Sequence, residues 1–208
     1  MSTLLRERIH GVEAKVSSVE LFFDLVYVFA VTQLSHRLLE HLSPIGALQT
    51  LLLWFAVWLG WQYTCWVTNW FDPEKLQIRL LLFALMLVAL PMSASIPEAF
   101  GERGLLFAGC YVGLQVGRSV FVLLCLGRGN ALTPNFLRIL GWTLISGVFW
   151  IAGALQEDAT LRLALWAIAV LANTSRRCSA SCCRASVAPT RGTGRSKAAT
   201  WPSAASCS

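Results

Sequence analysis

The sequence predicts an all-α fold, a polytopic bundle of helices that crosses a lipid bilayer. Hydrophobic residues make up 56% of the 208-residue chain. Charged residues make up 13%, about half of the roughly 25% found in average soluble domains. The apolar residues also fall into blocks long enough for a helix rising about 1.5 Å per residue to cross about 30 Å of hydrocarbon. These three observations indicate an integral membrane protein.

The apolar blocks set the predicted helices. In chain order they cover residues 18–39, 45–69, 76–97, 104–127, 136–155 and 158–172. The first five approach or exceed the roughly 20 residues of a spanning helix, so we expect five complete transmembrane helices. The sixth block is short and predicts a truncated helix. A soluble bundle would need polar faces on most helices, and these blocks lack them.

The distribution of basic residues predicts the orientation. With residues 1–17 as a cytoplasmic leader, the inner segments hold Arg6, Arg8, Lys15, Lys75, Arg79, Arg128 and Arg138, and the outer ones hold Arg37, Arg103 and Arg162. Cytoplasmic loops carry the excess of Lys and Arg, which favours a cytoplasmic N-terminus. The first block is too long for a signal-peptide core and lacks a cleavage site. We expect a multi-pass protein of the cell inner membrane.

The first block carries two acidic residues, Glu20 and Asp24, one helical turn apart. A carboxylate within a membrane span is costly and marks a functional site whose partner has to be found. At helical spacing the two acids share a stripe with Ser17, Tyr27, Val31 and Ser35. We expect this stripe to face protein or a water-filled cavity rather than lipid.

Arg118, in the fourth block, is the predicted partner of these acids. It lies about 13 Å from the cytoplasmic end of its helix, and Asp24 lies about 10 Å from the same side, at about 1.5 Å per residue. Because the depths match, we predict a cluster of Glu20, Asp24 and Arg118. The cluster would include Gln115, one turn before Arg118, and would have nearby polar residues at its mouth, among them Asn69 and Asp72.

Three interpretations of this cluster are open. The charges form a static ion pair that fixes helix packing, or they form a site for a substrate, a small ion or a proton. In the third interpretation, Arg118 snorkels unpaired to the interface.

Other classes of function find no support in the sequence. P-loop, GxSxG and HExxH motifs are missing, and no nucleophile–base pair is evident, so we expect no enzyme and no cofactor. The cysteines lack the spacing and the nearby histidine of a zinc site, so we expect no metal site. The net charge of +6 is explained by topology and a basic tail, and without a basic–aromatic platform we expect no nucleic-acid partner.

Residues 173–208 differ in composition from the rest. They are rich in Ser, Ala, Arg, Thr and Cys, with Trp201 as the single aromatic residue. Such a segment is predicted to be a disordered basic tail. It is also what a GC-rich gene gives when read out of frame, so we hypothesise a truncated or frameshifted product after about residue 172.

Three strings carry a family resemblance: VELFFDLVYVFAVTQLSH from residue 19, YTCWVTNWFDPEKLQIRLLLFALM from residue 63 and SIPEAFGERGLLFAGCYVGLQVGRS from residue 95. With them the chain resembles the bacterial low temperature requirement protein A family. The resemblance implies a polytopic membrane protein and carries over no catalytic residue. The positions that match it are Glu20, Phe23, Asp24, Asn69, Phe71, Asp72, Gln115 and Arg118.

Two functions follow from these observations. The first is a transporter or channel component in which Glu20 and Asp24 bind a cation or a proton, with Arg118 beside them. The second is a non-transporting structural or stress-related membrane protein in which the same charges only fix helix packing.

Overall fold

The computed structural model describes residues 17–71, 75–126 and 133–185. This part of the chain folds into α-helices α1 to α6, which are Ser18–Glu40, Pro44–Trp70, Leu76–Ala94, Gly104–Leu126, Thr133–Ala154 and Ala159–Ala185. The first five are long and apolar enough to cross a membrane. The all-α membrane bundle and its five spanning helices are therefore confirmed.

Serine residues at the starts of α1 and α2 explain why these two helices begin where they do. The Ser17 side chain accepts a hydrogen bond from the backbone of α1, and Glu20 accepts one from the Ser17 backbone N–H, forming a capping box. Ser43 caps α2 in the same position, followed by Pro44 at the first helical residue. Residues 95–103 form a series of turns that ends α3 at Ala94, before the predicted residue 97.

The helices pack so that α4 lies at the centre of the bundle. It contacts α5, α3 and α2, while α1 packs against α2 and α3. Large apolar side chains remain exposed on the outward faces, for example Phe22 on α1 and Leu87 on α3. Lipid tails are the environment that suits such faces. We call the end at which α1 begins the inner end, following the predicted orientation, and the opposite end the outer end.

The buried face of α1 differs from the predicted polar stripe. Phe23, Tyr27, Ala30, Leu34 and Arg37 are buried, whereas Val31 and Ser35, which belong to the predicted stripe, are exposed. The Ser35 hydroxyl donates to the Val31 carbonyl at 3.1 Å. Because this bond satisfies the hydroxyl within its own helix, Ser35 does not have to face protein.

Aromatic side chains fill the centre of the bundle between α4, α5 and α6. Trp150 and Trp166 are both completely buried, and their ring centroids lie 4.9 Å apart. The Trp166 indole N–H donates to the Trp150 carbonyl at 2.9 Å, and the Ser146 hydroxyl donates to the Ala169 carbonyl at 3.0 Å. These two bonds and the ring contacts fix α6 against α5.

The sixth helix is longer than the sequence predicted. It continues to Ala185 instead of ending near residue 172, so residues 173–185 are helical where a disordered tail was expected. This stretch contains neither Gly nor Pro, and its Ala, Arg and Ser residues are compatible with a helix. The rest of the predicted tail lies outside the described residues. The chain divides into two units after Arg176.

Gly153 is predicted to be essential for the docking of α6. A Cβ atom at Gly153 would lie 2.6 Å from Cδ1 of the buried Trp166, too close for the rigid indole to avoid. We expect Gly153→Ala to lower the free energy of unfolding in detergent by about 1–3 kcal/mol, as overpacking does. Gly141→Ala on the same helix is the control, because nothing lies within 4 Å of a Cβ there. Equal effects of the two substitutions would contradict this account.

The start of α6 is predicted to depend on pH through the exposed Asp158. Its carboxylate accepts hydrogen bonds from the hydroxyl and the backbone N–H of Thr160, at 2.6 and 3.0 Å. The bond from the Thr160 side chain, with the backbone bond, holds the pKa of Asp158 below its usual range. The cap is therefore complete above the usual carboxyl pKa of about 4 and is lost as the pH falls through the lower folded-state pKa.

We expect hydrogen exchange of the Thr160 amide, corrected for intrinsic rate, to accelerate below that pH. Asp158→Asn keeps an acceptor oxygen but does not titrate, so its exchange should lack this step. An identical pH dependence in both chains would show that another group is responsible.

Candidate functional site

The two acids of α1 lie at the inner end, and each is half-buried. The Glu20 carboxylate accepts a hydrogen bond from the Ser17 backbone N–H at 2.9 Å, and its charge lies at a helix N-terminus, where the helix dipole stabilises an anion. The Asp24 carboxylate accepts a hydrogen bond from the indole N–H of Trp61, on α2, at 2.7 Å. Glu20 thus forms part of a helix cap, and Asp24 accepts a hydrogen bond from an indole.

Arg118 is buried at the contact of α4 with α2. One of its terminal nitrogens donates to the Gly60 carbonyl at 3.2 Å and to the Thr64 hydroxyl at 3.0 Å. The other donates to the side-chain oxygen of Gln115. The guanidinium also lies over the Tyr63 ring, 5.3 Å from its centroid, in the geometry of a cation–π contact. These acceptors are neutral, and they hold the charge inside the bundle.

Gln115 extends this network along α4 by about one helical turn. Its exposed fraction is 2%, and its side-chain amide N–H donates to the Tyr111 hydroxyl at 3.0 Å. Tyr111 in turn packs against the aromatic core, with its ring tilted against that of Trp150 and the two centroids 4.8 Å apart. The polar network around Arg118 is therefore continuous with the packed centre of the molecule.

The predicted cluster is assembled only in part. Asp24 bonds to Trp61 and Arg118 bonds to the neighbouring Gly60 of α2, so this acid and the arginine come to the same region. The hydrogen bonds described above, however, take Asp24 to Trp61 and Arg118 to α2 and Gln115. A direct ion pair between Arg118 and either acid stays a prediction.

The remaining predicted residues have different outcomes. Asn69 is exposed in the last turn of α2, and Asp72 lies outside the described residues. Within residues 17–71, 75–126 and 133–185, no group of three or more His, Cys, Asp or Glu side chains is placed to hold a metal ion.

A small pocket opens beside Arg118, between α2, α4 and α5. Its interior measures about 10 Å³, which is the room needed by one water molecule. Its walls are mainly aromatic and aliphatic, with Arg118 and Ser119 as the polar residues: Tyr63, Trp66, Val67, Arg118, Ser119, Val122, Phe136 and Ile139. This pocket is too small for an organic substrate.

Two further arginines are buried at the outer end, around the turns of residues 95–103. Arg37, from α1, donates to the Pro97 carbonyl and to the Gln49 side-chain oxygen, the latter at 2.9 Å. Its guanidinium lies 5.2 Å from the centroid of the Phe100 ring. Arg37 thus ties α1 and α2 to the connection between α3 and α4.

Arg162, from α6, binds the same connection from the other side. It donates to the carbonyls of Ala99 and Gly101, at 3.2 and 2.9 Å, and to the Gln156 carbonyl at 2.6 Å. A Cβ atom at Gly104 would lie 2.8 Å from its terminal nitrogen, so glycine there makes room for the guanidinium. Arg37 and Arg162 therefore satisfy carbonyl groups that the turns leave outside helices.

The comparison with family models agrees with this architecture. Residues 15–206 match the model described as Bacterial low temperature requirement A protein. The chain belongs to this family. It is an integral membrane protein, as the five apolar helices of this family member also indicate.

A curated relative is similar over most of the chain. An uncharacterized protein of Rhizobium meliloti (strain 1021) is 45% identical over 160 residues, which is 76% of this chain and 39% of the relative. The matched part of the chain therefore spans about two fifths of the length of this relative. No solved structure matches the chain significantly.

The sequence contained two signals for contacts that we did not predict. Ser17-x-x-Glu20, directly before an apolar run, is the pattern of a capping box and explains Glu20 without a buried cation. Arg37 and Arg162 each lie within or next to an apolar block, as Arg118 does, and indicated buried arginines at the outer end. The Trp61–Asp24 hydrogen bond had no local signal, because it joins residues 37 positions apart.

Removal of the Arg118 guanidinium is predicted to destabilise the bundle. Arg118→Leu would leave the Gln115 and Thr64 oxygens buried without their donor, so we expect a loss of about 3 kcal/mol in the free energy of unfolding. Arg103→Leu is the control, because Arg103 forms an exposed ion pair with Glu98 at 2.9 Å and such pairs contribute about 0–1 kcal/mol. Denaturation in detergent micelles, followed by circular dichroism, measures both. A loss no larger than that of the control would contradict the packing role of Arg118.

Proposed function

We propose that this protein is a non-transporting structural membrane protein of the low temperature requirement A family, in which the intramembrane charges fix helix packing. The proposal assigns it no enzymatic activity and no cofactor. It places the protein in the cell inner membrane with a cytoplasmic N-terminus, surrounded by lipid. A role in a stress response falls within this proposal.

The observation that carries the proposal is the set of partners around Arg118. The Gly60 carbonyl, the Thr64 hydroxyl and the Gln115 amide oxygen accept its hydrogen bonds. A guanidinium held in this way serves the contact between α2 and α4, and moving it would expose a charge to hydrocarbon. The water-sized pocket beside it adds support, because a solute route through this region would need more room.

The acids also have structural uses. Glu20 completes the cap of α1, and Asp24 accepts a hydrogen bond from the indole N–H of Trp61. Glu20 also lies in the first turn of α1, where the helix dipole favours negative charge. The packing interpretation therefore accounts for all three charges with contacts inside the molecule.

A second candidate function is a site for a proton or a small cation at Glu20 and Asp24, as part of a transporter or channel. The observation that favours it is that both carboxylates are half-buried rather than fully buried. An ion could therefore reach them from the inner end. Oxygen ligands of this kind suit hard cations.

Flux measurements separate the two functions. The full chain is reconstituted into liposomes that contain a pH-sensitive dye for a pH gradient, or a potassium-sensitive dye for a potassium gradient. If the charges serve packing, we expect proton and potassium flux to equal that of empty liposomes, for the native chain and for Asp24→Asn alike.

Glu102→Gln is the matched control, because Glu102 is an exposed acid at the outer end. Flux by the native chain that Asp24→Asn abolishes and Glu102→Gln leaves intact would overturn the packing proposal and favour the acid site. Flux that neither substitution alters would overturn both, because a pathway would exist that does not use these acids.

A further inference from the structure

One turn of α2 contacts two of the three intramembrane charges, Asp24 and Arg118. Trp61 donates its indole N–H to Asp24 on α1 at 2.7 Å. The preceding residue, Gly60, accepts from Arg118 on α4 through its backbone carbonyl at 3.2 Å. Thr64 donates its hydroxyl to the same carbonyl at 3.0 Å and accepts from Arg118 at 3.0 Å. We call residues 60–64 the bridging turn.

The bridging turn is confined on both sides. A Cβ atom at Gly60 would lie 3.2 Å from the Tyr27 hydroxyl and 4.0 Å from the Tyr111 ring. Tyr27 belongs to α1 and follows Asp24 by about one helical turn, while Tyr111 belongs to α4 and bonds to Gln115. The backbone at Gly60 is therefore held between the two helices that carry the charges, an approach that a glycine in a membrane helix permits.

We propose that Trp61 is a positioning residue that couples Asp24 to Arg118 through the bridging turn, in place of a direct ion pair. The indole fixes the Asp24 carboxylate against α2, and the adjacent carbonyl of Gly60 fixes Arg118 against the same turn. A change at either charge shifts this turn and alters the contacts of the other charge. The inference rests on the proposed packing role of these charges and names the residue that links them.

The physical basis is that hydrogen bonds in one connected network are not independent. In a low-dielectric interior, neighbouring bonds polarise one another, and side chains that share a rigid element show non-additive effects when they are replaced. A direct ion pair would also give non-additivity between Asp24 and Arg118. The two arrangements differ in whether the coupling needs the indole N–H of Trp61.

A triple-mutant cycle tests this difference. The Tm of the full chain in detergent is measured for Asp24→Asn, Arg118→Gln and the double variant, first with Trp61 present and then with Trp61→Phe. Phenylalanine keeps an aromatic ring but removes the donor. We expect the double variant to lose less Tm than the sum of the single losses when Trp61 is present, and to equal that sum with Trp61→Phe.

Trp54→Phe is the matched control, because Trp54 lies on the same helix, is 40% exposed and contacts the rings of Phe55 and Trp58. The non-additivity should survive this substitution. Non-additivity that also survives Trp61→Phe would overturn the proposal in favour of a direct ion pair. Additive losses with Trp61 present would overturn it as well, because the two charges would then be uncoupled.

A second readout serves if the triple variant does not fold. With ¹⁵N-labelled tryptophan, the indole N–H resonance that Asp24→Asn displaces most is assigned to Trp61, and we expect Arg118→Gln to displace the same resonance. Arg162→Gln, which alters a buried arginine at the outer end, should leave it in place. A resonance that Arg118→Gln does not move would overturn the coupling. Liposome flux would refute the proposed function without deciding this test, which measures coupling only.

Discussion

A guanidinium inside hydrocarbon has to be surrounded by oxygen atoms of the protein, and the contact between α2 and α4 is built to provide them around Arg118. The Gly60 carbonyl accepts hydrogen bonds from both Thr64 and Arg118. Gln115, one turn from Arg118, accepts a hydrogen bond from its second terminal nitrogen. Burying an isolated charge is costly, whereas neutral acceptors in fixed positions offset most of that cost. The depth at which α4 packs against α2 therefore follows from this one side chain.

At the outer end, backbone carbonyls need donors, whereas around Arg118 a buried donor needs acceptors. There the backbone carbonyls of residues 95–103 need donors, since turns leave them outside regular helices, and Arg37 and Arg162 supply these donors from α1 and α6. Two of the three arginines counted on the outer side are thus internal structural groups. Because the positive-inside rule concerns loop charges, their burial strengthens the contrast with the basic inner segments.

Features set by residues close together in the sequence could be predicted, whereas contacts between distant residues could not. The five spanning helices could be predicted because apolar blocks are local in the sequence. Only the end of α3 differed, where residues 95–103 form turns. The helical continuation to Ala185 was missed because an Ala-, Ser- and Arg-rich segment is equally typical of a tail. Gln115 could be named beside Arg118 because it lies one turn away on the same helix. The partners of Asp24 and Arg118 on α2 were beyond reach, since they depend on how α1, α2 and α4 rotate against one another.

Matching depth is a necessary condition for an ion pair between helices, but the strength of such a pair also depends on the other partners of each charge. For Asp24, an indole N–H at 2.7 Å supplies a donor without bringing a second charge out of water. An arginine that has three oxygen acceptors of its own gains less from a carboxylate than an unsatisfied one would. The more completely neutral neighbours satisfy two opposite charges at one depth, the less those charges gain from forming an ion pair with each other.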